Sequence, residues 1–190
     1  ASQARALEDD LWARQREFWL EYLRDAQVTL AAPFDRSSGS PGGSSGTVRF
    51  RIGEKLTARI KKTAALSNVS LYTFLMTAFQ ALLLRLTAQD DLLVGSVVSG
   101  RNDAAWANTV GYFVNQIVLR ARWNANSTFL NLLSQTQQDV SKALEHQNYP
   151  FSALTDDFHT LYGSRGEPLT KVMFSLQSVA RRKDRGLSSF

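Results

Sequence analysis

The stretch Leu71–Leu86, LYTFLMTAFQALLLRL, is apolar nearly all round. A helix with that composition is buried on most sides, because no full face of it is charged. Gln80 and Arg85 interrupt it, and it is shorter than a typical membrane span. It therefore reads as the central helix of a folded domain. Such a helix needs other layers around it, and the rest of the 190 residues supplies them as amphipathic helices and short β-branched runs.

Residues 5–25 place Leu7, Leu11, Trp12, Phe18, Trp19, Tyr22 and Leu23 at helical spacing. The face is heavy in aromatics and must pack onto something substantial. Residues 35–47, DRSSGSPGGSSGT, cannot build a core and read as a flexible surface loop. Val48, Phe50 and Ile52 alternate with Arg49 and Arg51, which predicts a short half-buried strand. An amphipathic helix follows through Leu56, Ile60 and Leu66, and Ser70 is placed to cap the central helix. DLLVGSVVSG (91–100) and YFVNQIVLR (112–120) read as buried strands. The second puts Phe113, Asn115, Ile117 and Leu119 on one face and Tyr112, Val114, Gln116 and Val118 on the other. Asn126 or Ser127 is expected to cap the next helix, which ends near Gln147 because Pro150 disfavours helical geometry at Tyr149. A helical turn FSALTDDF and a last strand KVMFSLQSV complete the chain. The predicted order is helix, strand, helix, helix, strand, strand, helix, strand: an α/β fold with helices covering a mixed sheet.

There are no cysteines, so disulfides, thiolate metal sites and a cysteine nucleophile are excluded. Usage of this kind fits a reducing cytosol. Only His146 and His159 are present, too few for a multi-histidine metal site. The N-terminal ASQARALEDD has no apolar signal core. The net charge of +5 comes from 22 basic and 17 acidic residues, an excess compatible with an acidic partner. No dense basic patch with interleaved aromatics points to nucleic acid.

Catalytic motifs are scarce. VSGRND lacks the spacing and lysine of a phosphate-cradling loop. Ser96 in VGSVV lacks the second glycine of a nucleophile elbow and reads as a buried strand serine. Asp156 and Asp157 are neighbours on a helical turn and point different ways, as solvated residues do. Asp90-Asp91 reads as a turn. His146 lies in the last turn of a helix, a structural or capping position. Two residues stand out. Asn115 puts an amide in a buried strand, where it must find partners or line a cavity. Arg101 closes an apolar strand after Gly100 and suits a carboxylate partner.

Six segments, taken in order, resemble the condensation domains of nonribosomal peptide synthetases. EFWLEYL (17–23) is similar to the family's YW…L helix, and FDR (34–36) to its PTDRPRP segment, with Ser/Gly in place of the flanking prolines. AFQALLLRLTAQDDLLVGSVVSGR (78–101), VGYFVNQIVLR (110–120), EHQNYPFSAL (145–154) and EPLTKVMFSLQ (167–177) resemble further motifs of the same family. The resemblance implies a chloramphenicol-acetyltransferase-like lobe, two of which form a V around a tunnel. It implies amide formation between an upstream acyl or aminoacyl donor and a downstream aminoacyl acceptor. Both would ride on phosphopantetheine arms of carrier proteins, with no cofactor bound directly. "GYFVN" and "LYTFLMTAFQALL" look more like members of hybrid polyketide/peptide lines.

The family's His-His-x-x-x-Asp-Gly motif is not present in these 190 residues. No catalytic residue is therefore expected in this chain, which is expected to be residues 1–190 of the C-terminal part of a domain. The N-terminal lobe and an extreme C-terminal segment would lie elsewhere. By the resemblance, Arg101 would salt-bridge the aspartate of that motif, Asn115 would lie near the tunnel, and Ser178 stands where many members carry an asparagine. Two other readings fit the same motifs: a non-catalytic lobe that docks carriers, and an ester-forming acyltransferase of the same fold.

Overall fold

The computed structural model describes residues 10–31, 46–100, 109–124, 126–163 and 167–177. The elements run α1 (Asp10–Tyr22), α2 (Glu54–Leu66), α3 (Leu71–Thr87), β1 (Asp91–Val98), β2 (Asn115–Arg122), α4 (Phe129–Glu145), α5 (Phe151–Tyr162) and β3 (Met173–Phe174). The three strands form one mixed sheet in the order β2-β1-β3. β1 and β2 are antiparallel, from Asp91 opposite Arg122 to Val98 opposite Asn115. β3 pairs parallel to β1 through Gly95–Met173 and Ser96–Phe174.

The sheet is buried on both faces, which is why β1 reads as a continuous apolar run rather than an alternation. Leu92, Val94, Ile117 and Leu119 sit on one face, and Leu93 and Val118 on the other, all at 5% exposure or less. α3 covers the first of these faces, where Tyr72 donates its hydroxyl to Ser96 Oγ at 2.7 Å. Ser96 in turn donates to the Phe174 carbonyl, so the serine is a buried structural bridge.

α3 turns a stripe of Thr73, Met76, Thr77, Gln80 and Leu84 inward. Leu82 and Leu86 stay on its outer side, so the helix is less enclosed than its composition predicts. Gln80, which interrupts the apolar run in the sequence, is 1% exposed. Its Oε1 accepts from Thr136 of α4, the partner that a buried amide requires. Ser70 caps α3 as expected, accepting from Thr73 N at 2.9 Å.

Several boundaries differ from expectation. The N-cap of α4 is Thr128 rather than Asn126 or Ser127. Its hydroxyl takes the Asn131 N–H while the Asn131 side chain takes the Thr128 N–H, a reciprocal arrangement that satisfies two otherwise orphaned donors. The turn around FSALTDDF extends into the twelve-residue helix α5, ended by Gly163 in the left-handed region. The largest correction concerns residues 48–52. They form no strand, and Val48 and Phe50 are 89% and 84% exposed. Among the described residues nothing pairs with this segment, and an unpaired strand has no ladder to hold it. Most of the Ser/Gly-rich loop lies outside the described residues.

Candidate functional site

β2 opens with Asn115, and the strand's alternation points its amide toward the connection between α4 and α5. There Nδ2 donates to the carbonyls of Gln147 (2.8 Å) and Tyr149 (2.7 Å), and Oδ1 accepts from Phe151 N (3.1 Å). α5 begins at Pro150, whose side chain cannot cap. Asn115 therefore supplies the cap from a different element and pins the helix start to the sheet. Both its donors and its carbonyl are engaged, so the amide is a structural pin.

That pin forms one wall of a cleft of about 480 Å³ at the open end of β1 and β2. Val97, Gly100, Phe113, Gln116, Asn148 and Ser152 are among its lining residues. Gly100 adopts φ +61°, and a Cβ there would lie 1.9 Å from the Phe113 carbonyl oxygen. Only glycine permits both that conformation and that approach. Arg101 and Ser178 lie outside the described residues. Of the three residues singled out from the sequence, the structure therefore places Asn115 alone, at the cleft.

Two ion pairs frame the lobe, and neither was legible beforehand. Asp91 opens β1 rather than a free turn. Arg120 Nε meets its carboxylate at 2.9 Å, while Arg120 Nη1 donates to the carbonyls of Tyr22 and Arg24. The two side chains are only 7% and 14% exposed. The Tyr22 hydroxyl accepts from Arg120 N, so α1 seals the outer edge of β2. Burial pushes the Tyr22 hydroxyl well above its ordinary value, with the nearby Asp139 carboxylate adding to it. Burial likewise raises Asp139, although Tyr22 and Arg122 pull it down.

The second pair corrects the reading of Asp157 as solvated. Arg16 holds it bidentately at 2.7 and 2.9 Å, and Tyr149 donates to it at 2.6 Å. Burial pushes the Asp157 carboxyl up, but the hydrogen bonds from Arg16 and Tyr149 outweigh it and the net shift is downward. Tyr149 is pushed up to about 12, first by burial and then by its bond to that carboxylate. His146 stacks its ring on Phe18 at 3.8 Å, and its carbonyl accepts from Trp19 Nε1. The position is structural, as its place at the helix end suggested. Among the described residues no group of three or more His, Asp or Glu could hold a metal ion. No single helix among them is long and apolar enough to cross a membrane.

A family model for the condensation domain matches residues 1–187. The chain belongs to the condensation-domain family. It is 31% identical over 180 residues to tyrocidine synthase 3 of Brevibacillus parabrevis, covering 94% of this chain and 3% of that one. It is also 33% identical over 176 residues to a dimodular nonribosomal peptide synthase of Bacillus subtilis strain 168, covering 90% and 7%. The chain thus spans less than a tenth of the length of these curated relatives. Two solved structures carry the same fold. A four-domain nonribosomal peptide synthetase bound to AMP and glycine superposes with a TM-score of 0.83 at 23% identity, covering 95% of this chain and 14% of that one. The X-domain from teicoplanin biosynthesis gives 0.77 at 24% identity, covering 90% and 38%. The expectation of a chloramphenicol-acetyltransferase-like α/β lobe is therefore met, and in this condensation domain the cleft beside Asn115 is a concave polar feature at one end of β1 and β2.

Proposed function

We propose that this chain is the C-terminal lobe of a condensation domain and forms one wall of an amide-forming site. The observation that carries the reading is the family match over residues 1–187, joined to a polar cleft at the strand ends. The acceptor amine attacks the donor thioester carbonyl. The C–N bond forms, the C–S bond breaks, and the arm thiol leaves with the amine's proton. Holding both tethered partners in one site removes much of the entropic barrier. The histidine that assists the proton belongs to a motif outside these 190 residues. Arg101, the residue after Gly100 of the cleft, has an orienting role toward the aspartate of that motif. Ser178, at a position where many members of the family carry an asparagine, is a supporting residue of the same site.

Donor and acceptor arrive on phosphopantetheine arms of upstream and downstream carrier proteins, and no cofactor is bound directly. The synthetase is cytoplasmic, and its donor is of the polyketide or fatty-acyl type found in hybrid lines. The exposed apolar segment 48–52 supports a division in which a further part of the domain covers this lobe.

The reading is tested with a protein that joins this chain to the lobe carrying the histidine motif. Carrier-loaded donor and acceptor are supplied, and the product is read by mass spectrometry. The expected product is the amide. Carrier binding without product would leave a docking lobe, and a hydroxyl acceptor outcompeting every amine would leave an ester-forming enzyme.

A further inference from the structure

Gln116 follows Asn115 on β2 and points to the opposite face. It lies across β1 rather than along it, and Gly95 makes that course possible. A Cβ on Gly95 would come within 2.7 Å of Gln116 Nε2, 3.0 Å of Thr170 Oγ1 and 2.3 Å of Met173 Sδ. Through that gap Gln116 Nε2 donates to Thr170 Oγ1 at 2.8 Å, and the Thr170 hydroxyl turns its hydrogen toward Met173 Sδ at 3.9 Å. In this arrangement the nitrogen is the anchored end of the amide, and no described residue donates to Oε1.

Of the neighbouring amides, Asn115 has both donors and its carbonyl engaged, and Gln147 is held through Nε2 by the Leu144 carbonyl. Gln116 differs in being held from across the sheet, through Thr170, which leaves Oε1 as an oriented acceptor on a half-buried side chain at the cleft. Among the described residues that line the cleft, none is charged. A lining whose described residues are polar and uncharged, with a fixed carbonyl, suits a neutral donor better than an ammonium group, whose desolvation no carboxylate among those residues would offset.

We propose that Gln116 contacts substrate by accepting a hydrogen bond from an amide N–H of a pantetheine arm, and so sets how deep the arm enters. The inference rests on the amide-forming reading for the presence of such arms. Pantetheine is an uncharged chain with two amides, the chemistry that this cleft fits.

The test compares two thioesters of the same acyl group on the intact domain, one on N-acetylcysteamine, which keeps an amide, and one on ethanethiol, which has none. Gln116→Leu is expected to lower the ratio of their kcat/KM values about 5- to 10-fold, the worth of one lost hydrogen bond. Gln116→Glu keeps an acceptor oxygen and is expected to retain the ratio. Thr170→Val, which frees the anchored nitrogen, is expected to lower it by a smaller factor. Should Gln116→Leu fail to fold, Thr170→Val carries the test, and an unchanged ratio there overturns the proposal. An unchanged ratio in a folded Gln116→Leu overturns it as well. Supplying the amide first on the donor alone and then on the acceptor alone tells which arm is read. Binding of free pantetheine, followed by NMR titration, separates this inference from the reaction itself. If the wild type makes no amide but binds pantetheine and Gln116→Leu does not, the reaction falls and the contact stands. If both bind equally, the contact falls.

Discussion

The strand Asn115–Arg122 and the segment 48–52 both place apolar residues at alternate positions, yet they meet opposite surroundings. Ile117 and Leu119 are at most 2% exposed, whereas Phe50 is 84% exposed. Val118 gives β2 a second apolar face where 48–52 carries arginines, but the larger difference is in what surrounds them. β2 pairs with β1 along eight positions, has its outer edge sealed by Tyr22, and is packed by α4. Segment 48–52 has no pairing partner among the described residues, and α2 after it buries only Ala64. Leu56 and Leu66 of that helix remain on the surface. An alternation states that one face wants cover; it does not supply the cover.

The largest effect should come from the packed region. Arg120→Ala leaves the Asp91 carboxylate buried without its cation. The expected loss is about 3–5 kcal/mol of unfolding free energy, measured by denaturant titration. Replacing both residues by apolar ones of similar volume should recover most of it. A loss below about 1 kcal/mol in the single variant would mean that the pair contributes as a surface ion pair does.

Asn115→Ala comes next. It strips the Gln147 and Tyr149 carbonyls and the Phe151 N–H of their partner, with an expected cost of about 2–3 kcal/mol. Amide hydrogen exchange should then accelerate first in the opening turn of α5. Uniform acceleration across the lobe would show that the pin is not local to that helix.

A smaller effect is expected from the two perturbed aspartates, and its sign differs between them. Asp157 has a lowered folded-state value. Its contribution is therefore present above the unfolded value near 3.8 and is lost as pH falls through the folded one. Asp139 is raised. Its contribution is present below about 3.8 and is lost as pH rises through its folded value. Melting temperature against pH should show Asp157→Asn removing part of the acid loss and Asp139→Asn removing part of the decline above it. Identical profiles for both variants would contradict this assignment.

The smallest effect belongs to the exposed region. Phe50→Ser should change the stability of the 190-residue chain by no more than about 0.5 kcal/mol. If a further part of the domain covers this lobe, as proposed, the same substitution in a protein carrying that part should cost more, because there the side chain has something to cover it. Equal, negligible costs in both settings would erase the contrast with β2.

Local periodicity determined the element types, because helix and strand faces repeat within a few residues. The central helix, its Ser70 cap, both long strands and the faces of β2 were all legible that way. The likeness of six ordered segments determined the family. Contacts between distant residues had no such signal. Arg16 and Asp157 are 141 positions apart, and Tyr22 and Arg120 are 98 apart. Asp157 read as solvated, and Asp91 as part of a turn, because nothing within one turn of either names a partner. Asn115 was visible as an amide that must be satisfied, but only the folded chain showed that its partners are the carbonyls at the start of α5. Gln116 looked like an ordinary polar residue on an alternating strand. It became an oriented acceptor once Gly95 had let Thr170 reach it across β1, which is a fact of tertiary packing and not of sequence order.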